Sequence, residues 1–298
     1  QDHARNIRDD TRYVALEGPH ELGGLPLISY VCRTAQALNP EEIYVVVGHQ
    51  ANEVERAVQT EVGDTSAFVT QTEQRGTGDA VMAAQSQLEN SDSLVLVLSG
   101  DVPLIRAATL INFVKQHRAS ESVCSILSVR LENPAGYGRI VRDGNERFLR
   151  IVEQKDASAE EQQVKEINSG IYCFHARKLF AALKRVEPSN KQGEYYLTDV
   201  PQILLSDGEK VSVYLHGDAR EVSGINTRAD LAAASVPTPD NDSAMTDDDD
   251  YSVECNCGAR NCRKTLTGKD WQRPDLQRRY AGYFSAYLAC KIALLEMP

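Results

Sequence analysis

One run of residues constrains this chain more than any other: Leu94-Val-Leu-Val-Leu98. Five consecutive apolar residues, alternating with Val, leave no polar face. Such a strand is covered on both sides, as in a parallel sheet sandwiched between helices. Ser99-Gly-Asp101 follows at once, and ligands of open parallel sheets lie beyond the carboxyl ends of strands. A carboxylate at that edge can hold a hard cation such as Mg²⁺ against phosphates; it can equally cap the segment starting near Pro103.

The flanking pattern agrees. Helices are predicted over 25–38, 51–59 and 77–88, with a further one marked by Leu110, Ile111 and Val114; strands are predicted over 42–47 and 67–70. Alternation of this kind argues for α/β layers with a mainly parallel sheet and helices on both faces. After Ser122 strands dominate, at 124–129, 138–141, 148–152 and 168–174, before helices at 178–183 and 197–205, a strand at 211–215 and a helix at 228–234. Residues 13–16 can also pair in a sheet. The organisation expected is an atypical segment over 1–24, an α/β domain over 25–235, an acidic linker over 236–250 and a small Cys-rich module over 251–298.

Charge separates the last of these from the rest. Eight Lys and Arg stand against three Asp and Glu from Cys255 to Pro298, a net of +5, which leaves −16 for the remainder of a chain whose total is −11. The acidic body argues against nucleic acid as its partner. No apolar run approaches ~18 residues, so no membrane span is expected. Cys32, Cys124 and Cys173 stand singly in apolar stretches and read as buried thiols. Unpaired thiols fit a reducing, cytoplasmic setting. A first residue other than Met fits a piece of a longer chain. His49, His117 and His175 stand alone and take no catalytic role.

Several short segments carry candidate chemistry. Gln71-Thr-Glu-Gln-Arg-Gly-Thr-Gly78 runs from a strand end into a helix start, where glycines admit a ligand and helix amides favour acceptor groups. The Gln71 amide offers a donor and an acceptor to an imide edge such as uracil. A glycine turn opening a helix explains the same pattern. Gly136-Tyr-Gly-Arg139 again allows close backbone approach. Glu153, just past a strand, can accept from two sugar hydroxyls, although an exposed strand-end charge is commoner. Asn168 and Asn226 each follow an apolar residue; both also suit turns.

Together these segments resemble the uridylyltransferase domain of the bacterial bifunctional N-acetylglucosamine-1-phosphate uridylyltransferase/glucosamine-1-phosphate acetyltransferase family. The resemblance runs from Leu25 to about Ala234 through Gln71-Thr-Glu-Gln-Arg-Gly-Thr-Gly78, Gly100-Asp-Val-Pro-Leu104, Gly136-Tyr-Gly-Arg-Ile-Val-Arg142, Ile151-Val-Glu-Gln-Lys-Asp-Ala157, Glu166-Ile-Asn-Ser-Gly-Ile-Tyr172, Gln192-Gly-Glu-Tyr-Tyr-Leu-Thr-Asp199 and Gly224-Ile-Asn-Thr-Arg228. It implies that Gln71, Gly76 and Thr77 hold uracil, and that Asp101 and Asn226 hold Mg²⁺. It further implies that Gly138, Glu153 and Asn168 hold N-acetylglucosamine, with Ser99 and Gly100 also at the substrate. Where Ser99 stands the family usually has Tyr. The implied substrates are UTP and N-acetylglucosamine 1-phosphate.

The family opens with a strand and a loop of the pattern Leu-Ala-Ala-Gly-x-Gly-Thr-Arg-Met, followed by a Pro-Lys pair. Here Gly18-Pro-His-Glu-Leu-Gly-Gly24 stands instead, and Glu17 and Glu21 bring like charge toward a triphosphate. Impaired turnover is the expectation, with a sugar-nucleotide-binding module that does not turn over as the alternative. The repeat-built acetyltransferase domain is not recognisable, so acetyl transfer is not expected.

Cys255-Asn-Cys-Gly-Ala-Arg-Asn-Cys262 sets three thiols at a spacing that favours Zn²⁺ and lacks a fourth ligand; three reduced surface thiols fit as well. The segment 255–292 resembles the post-SET region of SET-domain lysine methyltransferases, including Thr265-Leu-Thr-Gly-Lys-Asp-Trp271. Cys290 or a His can complete such a site. No SET body is recognisable, which leaves a chimeric fragment as a further alternative.

Overall fold

The computed structural model describes residues 11–16, 21–22, 25–48, 51–63, 66–225, 252–254, 265–267, 269 and 272–274. Contacts group Gln1–Glu21 with Leu25–Ile225, and separately Leu22–Gly24 with Asn226–Pro298.

In order the chain runs β1 (Thr11–Leu16), β2 (Glu21–Leu22), β3 (Leu25–Pro26), α1 (Leu27–Gln36), β4 (Glu42–Val47), α2 (Ala51–Val62), β5 (Ser66–Thr70), α3 (Thr77–Met82), α4 (Gln85–Leu88), β6 (Leu94–Ser99) and α5 (Ala107–Ser120). It continues with β7 (Cys124–Arg130), β8 (Arg139–Arg142), β9 (Phe148–Val152), β10 (Glu166–His175), α6 (Ala176–Leu183), α7 (Val200–Ser206) and β11 (Val211–Leu215). In the smaller unit, β12 (Ser252–Glu254) pairs antiparallel with β13 (Thr265–Thr267). Cys255, Cys257, Cys262 and Cys290 lie outside the described residues, as do Asn226, the linker and most of the loop from Glu17 to Gly24.

The main sheet has the strand order β11-β7-β10-β6-β1-β4-β5, with β8 and β9 branching from β10. The pairs β1–β4, β1–β6, β4–β5 and β7–β11 are parallel. Only β10 opposes its neighbours along that path. The Tyr13–Leu16 stretch therefore pairs on both sides, near the middle of the sheet.

The double-sided burial expected of the Leu94 run is observed. Leu94, Leu96 and Leu98 face a core with α1, α2 and α5, built from residues such as Val31, Val58 and Phe113. Val95 and Val97 face a second core with α3, α4, α6 and α7, including Val81, Leu88, Phe180 and Leu204. All five residues of the run are buried. Alternate side chains of one strand thus glue both helical layers to the sheet.

Candidate active site

The carboxyl ends of the parallel strands share one edge. Register sets Leu16 beside Val46 and Ser99, and Val47 beside Thr70. Gln71 continues from β5 and donates its backbone N–H to Val47 O at 2.9 Å. Ser99, Gly100 and Asp101 continue from β6. Gln71 and Ser99 are three strand spacings apart, roughly 14 Å.

At the Gln71 end the glycines serve a seam. Gly76 has φ of +110°, and a Cβ there would lie 2.7 Å from Tyr195 O. A Cβ on Gly78 would lie 2.9 Å from the same oxygen. Only glycine lets the two backbones exchange hydrogen bonds, Tyr195 N to Arg75 O at 2.7 Å and Gly78 N to Tyr195 O at 2.8 Å. Thr77 Oγ1 accepts from Leu197 N at 3.1 Å. Gln71 Nε2 donates to Asp79 Oδ2 at 2.9 Å and to Gly76 O at 3.3 Å. The amide nitrogen is thus committed within the chain, which narrows the paired donor-and-acceptor reading of this residue.

The other cluster lies across β6. Tyr172 of β10 is in register with Val97 of β6, and the β10 ladder shifts between Asn168 and Tyr172. Gly170 occupies that bulge with φ of +78°; a Cβ there would sit 2.5 Å from Ser99 Oγ. The bulge therefore folds β10 around the end of β6 and carries Asn168 to the same edge. Asn168 N donates to Gly138 O at 2.9 Å. A Cβ on Gly138 would be 3.3 Å from Glu153 Oε1. Gly138, Glu153 and Asn168, far apart in sequence, converge.

Glu153 also borders a cleft of about 300 Å³, whose walls include Asp156, Tyr196, Thr198 and Asp199. Burial raises the Glu153 pKa; the Thr198 hydroxyl, which hydrogen-bonds to it, pulls the other way, and the charges of Asp199 and Asp156 add to the rise. The Asp199 carboxyl is likewise raised, by burial and by Asp156. The Tyr196 phenol is pushed up to about 12, chiefly by burial. Arg139 is 1% exposed and supplies positive charge near Glu153. Its guanidinium donates to the Tyr137 carbonyl and to Gln154 Oε1. Burial lowers its pKa.

Sequence reading missed Arg139, Asp156, Thr198 and Asp199 as members of this cluster. Each lies inside one of the quoted segments, and Arg139 directly follows Gly138, so the motifs themselves hold the signal. Asn168 is also hydrogen-bonded to the Tyr172 phenol, which is fully buried with its pKa raised by that burial.

Asp101 sits half-buried past β6. Its backbone carbonyl accepts from Ile225 N at 2.8 Å. Asn226 is the next residue in the chain and is outside the described residues. Gly224 N donates to the Tyr137 phenol oxygen at 3.3 Å, so the end of the described body also touches the Gly136–Gly138 loop. Among the described residues no group of three or more His, Cys, Asp or Glu is placed to hold a metal ion.

The nucleotidyl transferase family matches residues 20–220, two thirds of the chain. The chain belongs to the nucleotidyl transferase family. Curated relatives sharpen this. The bifunctional protein GlmU of Acetivibrio thermocellus is 46% identical over 215 residues, 72% of this chain and 46% of that protein. The GlmU of Streptococcus mutans is 46% identical over the same lengths, and that of Streptococcus pyogenes serotype M12 is 46% identical over 217 residues, 73% of this chain and 51% of the relative. This nucleotidyl transferase thus spans about half the length of the curated relatives it matches.

Solved structures share its fold. A 4-diphosphocytidyl-2C-methyl-D-erythritol synthase from Anaerococcus prevotii matches with a TM-score of 0.56 at 14% identity, over 76% of this chain and 96% of that one. A UDP-glucose pyrophosphorylase complexed with UDP-glucose matches with a TM-score of 0.57 at 13% identity, over 72% and 94%. The α/β layering expected from strand alternation is therefore present, in the nucleotidyl transferase form that the resemblance implied. Among the described residues no helix is long and apolar enough to cross a membrane.

Proposed function

We propose that this chain binds a uridine nucleotide and N-acetylglucosamine 1-phosphate and transfers uridylyl between them, slowly. One observation carries the reading: Gly138, Glu153 and Asn168 meet on the edge where Asp101 emerges from β6. Identity to GlmU relatives supports the choice of uracil and N-acetylglucosamine.

A phosphate oxygen of the sugar phosphate attacks the α-phosphorus of UTP. A new P–O bond forms, the bond to the bridging oxygen of the β-phosphate breaks, and pyrophosphate leaves with the electron pair. The protein's work is to position both phosphates and stabilise charge. Glu153 and Asn168 would accept from and donate to the sugar, with Gly138 leaving room beside the carboxylate. Gln71, Gly76 and Thr77 would hold uracil; Ser99 and Gly100 would line the phosphates' path. Asp101 and Asn226 would hold Mg²⁺: a half-buried carboxylate at a strand end and a neutral amide oxygen are hard donors suited to that ion. When bound, Mg²⁺ supplies charge neutralisation at the transferring phosphate.

The segment from Gly18 to Gly24 lacks the family's glycine-rich order and its basic residue. Loss of such stabilisers costs on the order of 10²–10³-fold per group. A zinc ion on Cys255, Cys257 and Cys262 is proposed for the tail on spacing alone. Pyrophosphate release with UTP and N-acetylglucosamine 1-phosphate tests the main reading. A slow rate abolished by Asp101→Ala supports it. A rate typical of sugar nucleotidyltransferases refutes the impairment, and no binding of UDP-N-acetylglucosamine refutes the site. Binding without turnover favours the binding-module reading. Fewer than one tightly held zinc per chain rejects the tail site.

A further inference from the structure

The side-chain amide of Gln71 is held at one end only. Its Nε2 donates to Asp79 Oδ2 at 2.9 Å and to the Gly76 carbonyl at 3.3 Å. An ionised carboxylate and a carbonyl both accept and cannot donate. An amide turned the other way would set its oxygen against two oxygens, so the network decides which end faces inward.

Asp79 is held in turn. Its Oδ1 accepts from Arg75 Nη2 at 2.9 Å, and its side chain is 16% exposed. The Arg75 guanidinium lies 5.6 Å from the centre of the Tyr195 ring, and Arg75 O accepts from Tyr195 N across the glycine seam. Arg75 thereby engages one carboxylate oxygen and leaves the other to Gln71.

The amide is planar, so fixing Nε2 inward puts Oε1 on the opposite side of the same carbon. Oε1 takes no hydrogen bond among the described residues and keeps contact with solvent. Gln71 stands where β5 ends, on the shared edge of the parallel strands. It offers an acceptor there, and not a donor. A base with an N–H between two carbonyls, as in uracil or thymine, matches that acceptor. Cytosine carries a lone pair on the corresponding ring nitrogen, and two acceptors face to face leave both unpaired.

We propose that Asp79, with Arg75 behind it, is a positioning residue that locks the Gln71 amide with its oxygen outward, so that this end of the site reads an imide N–H and rejects cytosine. The inference rests on the functional reading above, in which Gln71 meets the base. Asp79 need not touch the nucleotide. A free amide would turn to suit either base, and the carboxylate removes that choice.

The test titrates UTP and CTP into the full chain by calorimetry. Beside it, the ¹⁵N–¹H signals of the Gln71 side-chain amide, assigned by their loss in Q71L, are recorded without nucleotide. The variants are D79A and D79N. Alanine suits a helix. Asparagine keeps the volume should D79A fail to fold, and its amide can offer Gln71 a donor as readily as an acceptor. In the unaltered chain UTP should bind at least about tenfold tighter than CTP, the effect of exchanging one hydrogen bond for an unpaired acceptor. Either variant should cut that ratio by about tenfold, shift the Gln71 amide signals and speed their exchange with solvent. Equal weakening of both nucleotides with the ratio kept overturns the proposal, as do unmoved Gln71 signals. Equal binding of UTP and CTP by the unaltered chain also overturns it and leaves nucleotide binding standing. Failure of the unaltered chain to bind either nucleotide overturns the functional reading, and the selectivity with it.

Discussion

The backbone N–H of Asn168 donates to the carbonyl oxygen of Gly138 at 2.9 Å. This bond joins the inner end of β10 to the loop opening β8. Because Gly138 has no side chain, Glu153 reaches the same spot from β9. A methyl group at Gly138 would come 3.2 Å from Ile151 Cγ2 and 3.3 Å from Glu153 Oε1. Gly138→Ala is expected to weaken UDP-N-acetylglucosamine binding by at least about tenfold, the size of one lost well-placed hydrogen bond to a charged group. Calorimetric titration measures it. A melting temperature within about 2–4 °C of the parent would show that the loss is local.

The Arg75–Gly78 seam predicts a different outcome at Gly76. Alanine there meets Tyr195 O at 2.7 Å and must hold φ of +110°. The strain costs about 1–3 kcal/mol. Gly76→Ala should part the seam, with faster hydrogen exchange at the Gly78 and Tyr195 amides. Unchanged exchange at both would contradict the account of these glycines.

His117 predicts a pH dependence. Its side chain is 2% exposed, with Nδ1 2.8 Å from Ser125 Oγ. Burial, and secondarily the neighbouring His175, lower its pKa from 6.5 to about 4. Below 6.5 the unfolded chain takes up a proton that the folded chain refuses. The contribution of His117 to stability is therefore complete above that value and declines as pH falls toward 4. Denaturant titrations between these limits should show a slope that His117→Gln removes.

Glu166 gives the carboxylate counterpart. It is 6% exposed, bridged to Arg142 at 2.7 Å, and accepts from Ser128 Oγ at 2.6 Å. Burial alone would raise its pKa; those partners outweigh it and hold it below 4.5. The stabilisation is present above that value and fades as pH falls through the depressed one. Arg142→Met leaves a buried unpaired charge and should cost about 3–5 kcal/mol near neutral pH. In acid, where Glu166 is protonated in both proteins, the difference should shrink. A deficit independent of pH would refute the pairing.

Local pattern made much of this molecule legible. The strands at 42–47, 148–152 and 211–215 fall where alternation and β-branching placed them. The Leu94 run disclosed two cores because only a strand covered twice can be apolar throughout. Departures trace to longer-range causes. The helix expected over 77–88 is interrupted between α3 and α4, yet Ala80, Val81, Ala84 and Leu88 all reach one core. The helix expected over 197–205 begins as a 3₁₀ turn at Leu197–Asp199, and Pro201 stands at the start of α7. The bulge at Gly170 answers to Ser99, and the ion pair between Glu221 and Arg106 joins segments remote in the chain. Such pairings leave no periodic trace. Of the site, the convergence of Gly138, Glu153 and Asn168 was foreseen through family motifs, whereas their acidic and basic neighbours were not.

Strand order gives the first described residues an influence out of proportion to their number. Thr11–Leu16 is flanked by β6 and β4, so its backbone hydrogen bonds hold together two halves that share no other strand among the described residues. A protease cut or deletion there would not shorten the protein at one border. It would leave β4 and β5 on one side of a gap and every remaining strand of the path on the other.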